Sequence, residues 1–222
     1  MATLLSVNTG RLAGSRHTDS GVTGIDKRPW PEPVMLHDPG PGTGLSGAAG
    51  DAIGDPRSHG GTDQAVYAYA REDLDVWQTD LGRPLGNGVF GENLTTAGLD
   101  VNAALVGERW QVGTVCVLEV TSPRIPCRTF AGWLEEQLWV KRFTERGVPG
   151  AYLRVISPGP VTAGDAISVV HRPAHDVSIA TMFRALTTDK ALLPQLAAAG
   201  DALPEHLRRR LPSPEHRSHR GA

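Results

Sequence analysis

The segment Val115-Cys-Val-Leu-Glu-Val-Thr-Ser-Pro-Arg-Ile-Pro-Cys127-Arg-Thr129 decides how this chain is read. Its first half is apolar and rich in β-branched residues, the composition of a strand. Glu108-Arg-Trp-Gln-Val112 precedes it across Gly113 and reads as the adjacent strand. Pro123 and Pro126 then remove backbone freedom and hold an extended path. The loop is built to present one sulfur, Cys127, between Arg124 and Arg128. Two cationic neighbours favour thiolate over thiol, and a thiolate is a soft ligand suited to a soft or redox-active metal.

Outward from this segment, short strands dominate. Thr3–Val7 opens the chain as a strand, and Val22–Lys27 is expected to be its hairpin partner. Pro29–Gly50 is a proline- and glycine-rich excursion with one short strand at Val34-Met-Leu36. Thr62-Asp63 can cap a helix in which Val66, Ala70, Leu74, Trp77 and Leu81 recur at helical spacing, stopped by Gly82. Trp133, Leu134, Leu138 and Phe143 mark a second helix, and Gly150–Ile156 and Ala166–Val170 read as strands. Beyond Pro173 the pattern turns helical: Ser178–Leu186 with Ser178 as cap, Asp189–Ala199 with an awkward Pro194, and Pro204–Leu211. The expectation is a mainly β (α+β) domain over 1–172, a three-helix appendage over 173–212 and a disordered tail over 213–222.

Composition narrows the function. The formal charge of -2 over 222 residues gives no reason to expect nucleic-acid or membrane attraction. Glycine (26) and proline (17) suit many short strands and tight turns, and two cysteines do not make a disulfide framework. The N-terminus lacks the basic and apolar regions of a signal peptide, and no apolar run reaches transmembrane length. A reducing cytoplasm is the expected setting.

Four further constellations could carry chemistry, each with a blander reading. His59-Gly60-Gly61 could let backbone N–H groups approach an anion at a helix N-terminus, or be a turn. In Phe90–Thr95, Glu92 could accept from a heterocycle, with Asn93 and Thr95 offering donors and acceptors, or the segment could close a hairpin. Tyr152 and Arg154 share a strand face and could line a cleft or simply face solvent. Lys27-Arg28, with Arg11 and Arg16 nearby in sequence, suits a phosphate or a solvated face. Cys116 alternates with Leu118 and Val120 and reads as core. Pro173 between His171 and His175 argues against a zinc site there, and His216 and His219 read as solvated. No GxGxxG, Walker, GxSxG or CxxC element occurs.

The ordered series Gly50-Asp51, His59-Gly-Gly61, Gln64–Tyr69, Phe90-Gly-Glu-Asn-Leu94, Gly107-Glu108, Pro123–Cys127, Gly150–Val155 and Gly164-Asp165 resembles the MOSC domain family, the molybdenum-cofactor sulfurase C-terminal domain, in its stand-alone bacterial YiiM-like branch. The resemblance covers residues 3–172 and extends to the helical tail at Ala202-Leu-Pro204. It implies a β-barrel-like fold that binds a pterin-type molybdenum cofactor (Mo-molybdopterin), with Cys127 as the metal ligand and catalytic centre. His59, Gly60, Gly61, Glu92, Asn93 and Tyr152 become candidate cofactor contacts, and Lys27, Arg124 and Arg154 candidate cations for its anionic groups. It further implies reduction of small N-hydroxylated compounds such as hydroxylaminopurine-type base analogues. The absence of flavin, haem or iron–sulfur motifs then calls for a separate electron-donor reductase. The alternative is a carrier that holds the cofactor, or a persulfide sulfur on Cys127, for delivery elsewhere.

Overall fold

The computed structural model describes residues 1–42, 44–56 and 59–211. The expected tail over 213–222, with His216 and His219, lies outside the described residues. The first strands are β1 (Ala2–Gly10), β2 (Ala13–Gly14), β3 (Val22–Thr23), β4 (Lys27–Pro29) and β5 (Val34–Leu36). A single 3₁₀ turn, Thr62–Gln64, leads into β6 (Val66–Ala70) and helix α1 (Arg71–Leu81). Then come β7 (Leu94–Ala97), β8 (Arg109–Val112), β9 (Cys116–Pro123), α2 (Arg128–Leu134) and α3 (Trp139–Arg146). The chain continues through β10 (Ala151–Ser157), β11 (Gly159–Val161), β12 (Ala166–His171), α4 (Ile179–Thr187), a 3₁₀ helix over Lys190–Ala202 and α5 (Glu205–Arg208).

Seven strands close on themselves in the order β12-β8-β9-β10-β6-β7-β1, with β1 returning to β12. All neighbours are antiparallel except β6 and β7. Closure leaves no unpaired edge in the ring, which removes the usual site of strand-to-strand association. β4 extends β1 beyond the ring, pairing Asn8 with Pro29 and Gly10 with Lys27. The strand expected over Thr3–Val7 therefore pairs with β7 and β12, and of its expected partner Val22–Lys27 only Lys27 meets β1, at Gly10. Val22–Thr23 folds instead into a small hairpin with Ala13–Gly14.

The helix expected from Thr62 to Leu81 begins only at Arg71. Val66–Ala70 is a strand with every residue buried. A strand covered on both faces shows no polar alternation, so its apolar residues can mimic a helical period. The second expected helix is two, α2 and α3, separated by Glu135 and Leu138 with φ of 56° and 55°. The segment around Pro194 is 3₁₀ rather than α and kinks at Gly200, and the last helix is shorter than expected. Ser178 caps α4 as expected, its side chain accepting from the Thr181 N–H.

Two buried clusters result. One fills the barrel and includes Leu4, Val66, Leu94, Trp110, Leu118 and Leu153. Ile179, Met182, Leu196 and Leu203, from beyond residue 172, belong to that same cluster. The other is aromatic and lies outside the ring, where it fastens α1, α2 and α3 to the barrel wall. Phe90 is its hub, with ring centroids 5.1 Å from Phe130, 5.1 Å from Tyr69 and 5.4 Å from Trp139. The hub matters for function because Phe130 sits three positions after Cys127, on the helix that fixes the cysteine. Phe90→Ala should cost about 3–5 kcal/mol in urea unfolding, while a loss below 1 kcal/mol would show that the cluster does not hold α2 in place.

Candidate functional site

A cleft of about 650 Å³, including its open mouth, lies beside the aromatic cluster. This is within the usual range for small-molecule sites. Its lining comes from loops that the barrel brings together: the segment after β3, Ser46, Asp51–Asp55, the His59–Gly60 turn, and the β9–α2 loop. β6 contributes Tyr67 and β10 contributes Tyr152.

Cys127 stands at the end of the proline loop in an extended conformation (φ -134°, ψ 173°), as the residue that starts α2. It is half-buried, free and part of the cleft lining. Cys116 is also free, but it is buried in the core, where burial pushes its thiol up to about 12. The two sulfurs therefore differ as the sequence suggests: one faces the cleft and the other is packing.

Arg124 is the unusual group. It is only 6% exposed, and its Nε has no hydrogen-bond partner. The guanidinium lies over the rings of Phe130 (4.5 Å) and Tyr67 (5.2 Å). Among the described residues no carboxylate pairs with it directly, yet against the penalty of burial the fields of Tyr152, Tyr67, Cys127 and the more distant Glu92 prevail and hold its pKa above the ordinary value. Cation–π contact adds to this support. The other buried cation, Lys27, is already neutralised. Its Nζ pairs with Asp51, which also accepts from Gly10 N (2.8 Å), Ser46 Oγ (2.6 Å) and Asn93 Nδ2 (2.9 Å). Burial lowers the Lys27 pKa against the opposing pull of Asp51. Arg124 is therefore the cation of the cleft that no carboxylate contacts directly.

His59 reaches the opposite wall. Its Nδ1 is 3.4 Å from the Tyr152 hydroxyl. Burial, then the positive charge of Arg124, lowers its pKa to about 4, so the ring is neutral at pH 7. Burial raises Tyr152 above the ordinary phenol value. Gly60 (φ 83°) runs against neighbouring backbone, where a Cβ would meet Leu45 O at 2.6 Å. The turn after it is one 3₁₀ turn rather than a helix, so no helix dipole stands behind His59-Gly60-Gly61.

The remaining sequence-derived candidates lie elsewhere or are engaged by the protein itself. Glu92 is fully buried and accepts from Gly88 N (2.5 Å), Phe90 N (3.0 Å) and Thr95 Oγ1 (2.9 Å), so it closes a turn and does not face the cleft. Asn93 lines the cleft, but its amide is committed to Tyr67 N, Asn8 O and Asp51. Arg154 is not part of the cleft lining. Its guanidinium binds Asp63 (2.8 Å), Glu119 (3.2 Å) and the Ala202 carbonyl (3.1 Å). The register shift at this point leaves Thr121 of β9 unpaired, and Arg154 is drawn to carboxylates on β9 and the 3₁₀ turn rather than to the cleft. Arg28 pairs with Asp26 at the surface, Arg11 is exposed, and Arg16 contacts His17, so the expected cation cluster disperses and leaves Lys27 alone at the site. Arg128 turns away to Asp19, which leaves Arg124 as the cationic neighbour of Cys127 in the cleft. Asp51, Gln64 and Tyr67 also line the cleft without any isolated sequence signal. Only the family-like series around Gly50-Asp51 and Gln64–Tyr69 could have pointed to them.

Comparisons with known proteins agree with this architecture. A family model of the MOSC domain matches residues 55–168. Uncharacterized protein YflK of Bacillus subtilis is 33% identical over 177 residues, covering 79% of this chain and 76% of that protein. A Gibberella moniliformis protein named "Reductase" is 28% identical over 198 residues, and the match spans only 34% of its length. The crystal structure of YiiM from Geobacillus stearothermophilus superposes with a TM-score of 0.74 at 27% identity, covering 95% of this chain and 97% of that one. This chain belongs to the MOSC domain family. Among the described residues no helix is long and apolar enough to cross a membrane.

The His59 environment has a measurable consequence. The folded state disfavours the imidazolium, so between pH 6.5 and about 4 the unfolded chain binds a proton that the folded chain refuses. Stability is unaffected by this group above pH 6.5 and falls as pH drops through that window, by an amount on the order of 3 kcal/mol at the acid end. Urea unfolding of wild type and His59→Gln should show a shallower acid loss in the variant. Parallel pH profiles would contradict the assigned environment.

Proposed function

We propose that this protein is a molybdenum-cofactor-dependent reductase of small N-hydroxylated compounds. The observation that carries the reading is the pairing of a half-buried thiol with a buried guanidinium that has no carboxylate partner, both facing one cleft. A buried cation in a cleft, with no carboxylate in contact and its Nε unpartnered, suits an anionic ligand. A pterin cofactor bearing a phosphate and a metal dithiolene is such a ligand, and a thiolate is suited to its metal. Membership of the MOSC family and the relative named "Reductase" support the same choice.

In this reading Cys127 supplies the protein sulfur to the metal, and Arg124 compensates the anionic centre. Lys27, held by Asp51, contributes hydrogen bonding rather than net charge. The Gly60 backbone and the neutral His59 border the ligand without adding a competing charge, whereas Gly61 lies outside the lining with its N–H given to Leu45 O. Tyr67 and Tyr152 form flat walls suited to a ring system. Asn93 and Glu92 act at one remove, by fixing Asp51 and the turn that carries Gly91. When bound, the cofactor supplies the two-electron chemistry that converts an N-hydroxy group to the amine and water. Electrons come from a separate donor protein.

The test is metal content combined with turnover. Protein purified from molybdenum-replete cells should carry stoichiometric molybdenum and reduce an N-hydroxylated base analogue with a chemical reductant. Cys127→Ser should lose both while keeping its fold by circular dichroism. Full turnover by that variant would refute the assignment, and a persulfide on Cys127 without molybdenum would identify a sulfur carrier instead.

A further inference from the structure

The hairpin formed by β2 and β3 has no role in the barrel, yet Thr18, Val22 and Thr23 from it line the cleft together with Cys127 and Thr129. It is a meagre structure by itself. Its ladder holds two residue pairs, Ala13 with Thr23 and Gly14 with Val22, and its tip adds the bonds Ser15 N to Gly21 O (2.9 Å) and Gly21 N to Thr18 O (3.2 Å). An isolated two-stranded hairpin is marginal in water, so its position depends on what it touches.

It touches two things. At its base Gly24 lies against the backbone of Ala52 so closely that a Cβ would fall 2.0 Å from the Ala52 carbonyl oxygen. That end is fixed. At its tip, among the described residues, it is tied to the helix that begins just after Cys127. The His17 carbonyl accepts from Thr129 Oγ1 (3.1 Å) and Arg128 Nε (3.3 Å). Arg128 also pairs with Asp19 at 2.7 Å. The His17 ring lies over Gly132, where a Cβ would approach its Cγ to 2.2 Å. Three positions of α2 thus meet one turn of the hairpin.

We propose that this hairpin is the outer wall of the cleft that selects by size what reaches Cys127, and that Arg128 and Thr129 are positioning residues that latch it. Arg128, outside the lining, then serves ligand selection rather than ligand contact, and Thr129 stands in the lining with its hydroxyl given to the latch. Gly132 is small because the latch brings His17 onto its face of the helix. The inference rests on the proposed use of the cleft only for the identity of what enters. The wall and its latch are properties of the ligand-free protein.

Access can be read from the thiol itself. Ligand-free protein would be labelled with iodoacetamide and, separately, with a bulky fluorescein maleimide, and the rate ratio at Cys127 followed by mass spectrometry. The ratio cancels any change in the nucleophilicity of the sulfur. In Thr129→Val/Asp19→Ala the bulky reagent should gain about tenfold relative to the small one, the worth of one hydrogen bond and an exposed ion pair. Gly132→Ala should change the ratio in the same direction, and His17→Ala added to it should restore the wild-type value by removing the ring. Buried Cys116 should stay unlabelled throughout, which separates an open wall from an unfolded chain. Asp19→Ala alone, at a side chain 81% exposed, provides a variant that keeps its fold. A ratio unchanged in every variant would overturn the proposal, even if the protein proved to be a molybdenum reductase. A changed ratio would stand even if it did not.

Discussion

The structure turns on one buried cation. Arg124 is withdrawn from water onto two aromatic rings with no carboxylate in direct contact, and the strand–loop segment that places it there also places Cys127. A buried arginine held by a carboxylate is ordinary architecture. This one is held by rings, phenols and a thiol, with its Nε unpartnered. The adjacent Lys27–Asp51 pair sharpens the point, since it shows how the same cleft deals with a cation it means to keep neutral. The low pKa of His59 follows from burial first and then from Arg124, with a smaller contribution from Lys27.

Everything around this charge serves to hold it still. The closed ring fixes β9 and β10 side by side, and Thr121 Oγ1 ties them to the turn at Asp63 through bonds of 2.9 Å to Tyr152 O and 2.6 Å to Asp63 O. The aromatic cluster centred on Phe90 presses α2 onto the wall, so that the loop between β9 and α2 is anchored at both ends. Arg154 acts as a clamp, joining β9, the 3₁₀ turn after His59 and the C-terminal segment through Glu119, Asp63 and Ala202. The site is thus preorganised by groups that never face the ligand.

The strand–loop–cysteine segment was legible because composition and proline placement act locally. So were β8, β9, β10 and β12, the Ser178 cap and the core position of Cys116. Val66–Ala70 was not, because a strand buried on both faces carries no polar alternation to distinguish it from a helix. Arg154 was misjudged because its partners on β9, the 3₁₀ turn and the C-terminal segment lie outside any local pattern. Asp51 escaped as an isolated signal because its importance comes from four donors far apart in sequence, brought together only by the closed ring. The hairpin latch rests on contacts more than a hundred residues apart, from His17 and Asp19 to the start of α2.

The most direct test is the response to oxyanions. Arg124→Met keeps the bulk and the ring contacts while deleting the charge. Sulfate or tungstate at constant ionic strength should stabilise wild type against urea and leave the variant unchanged. The same response in both proteins would mean that the cleft is not built around an anion at Arg124.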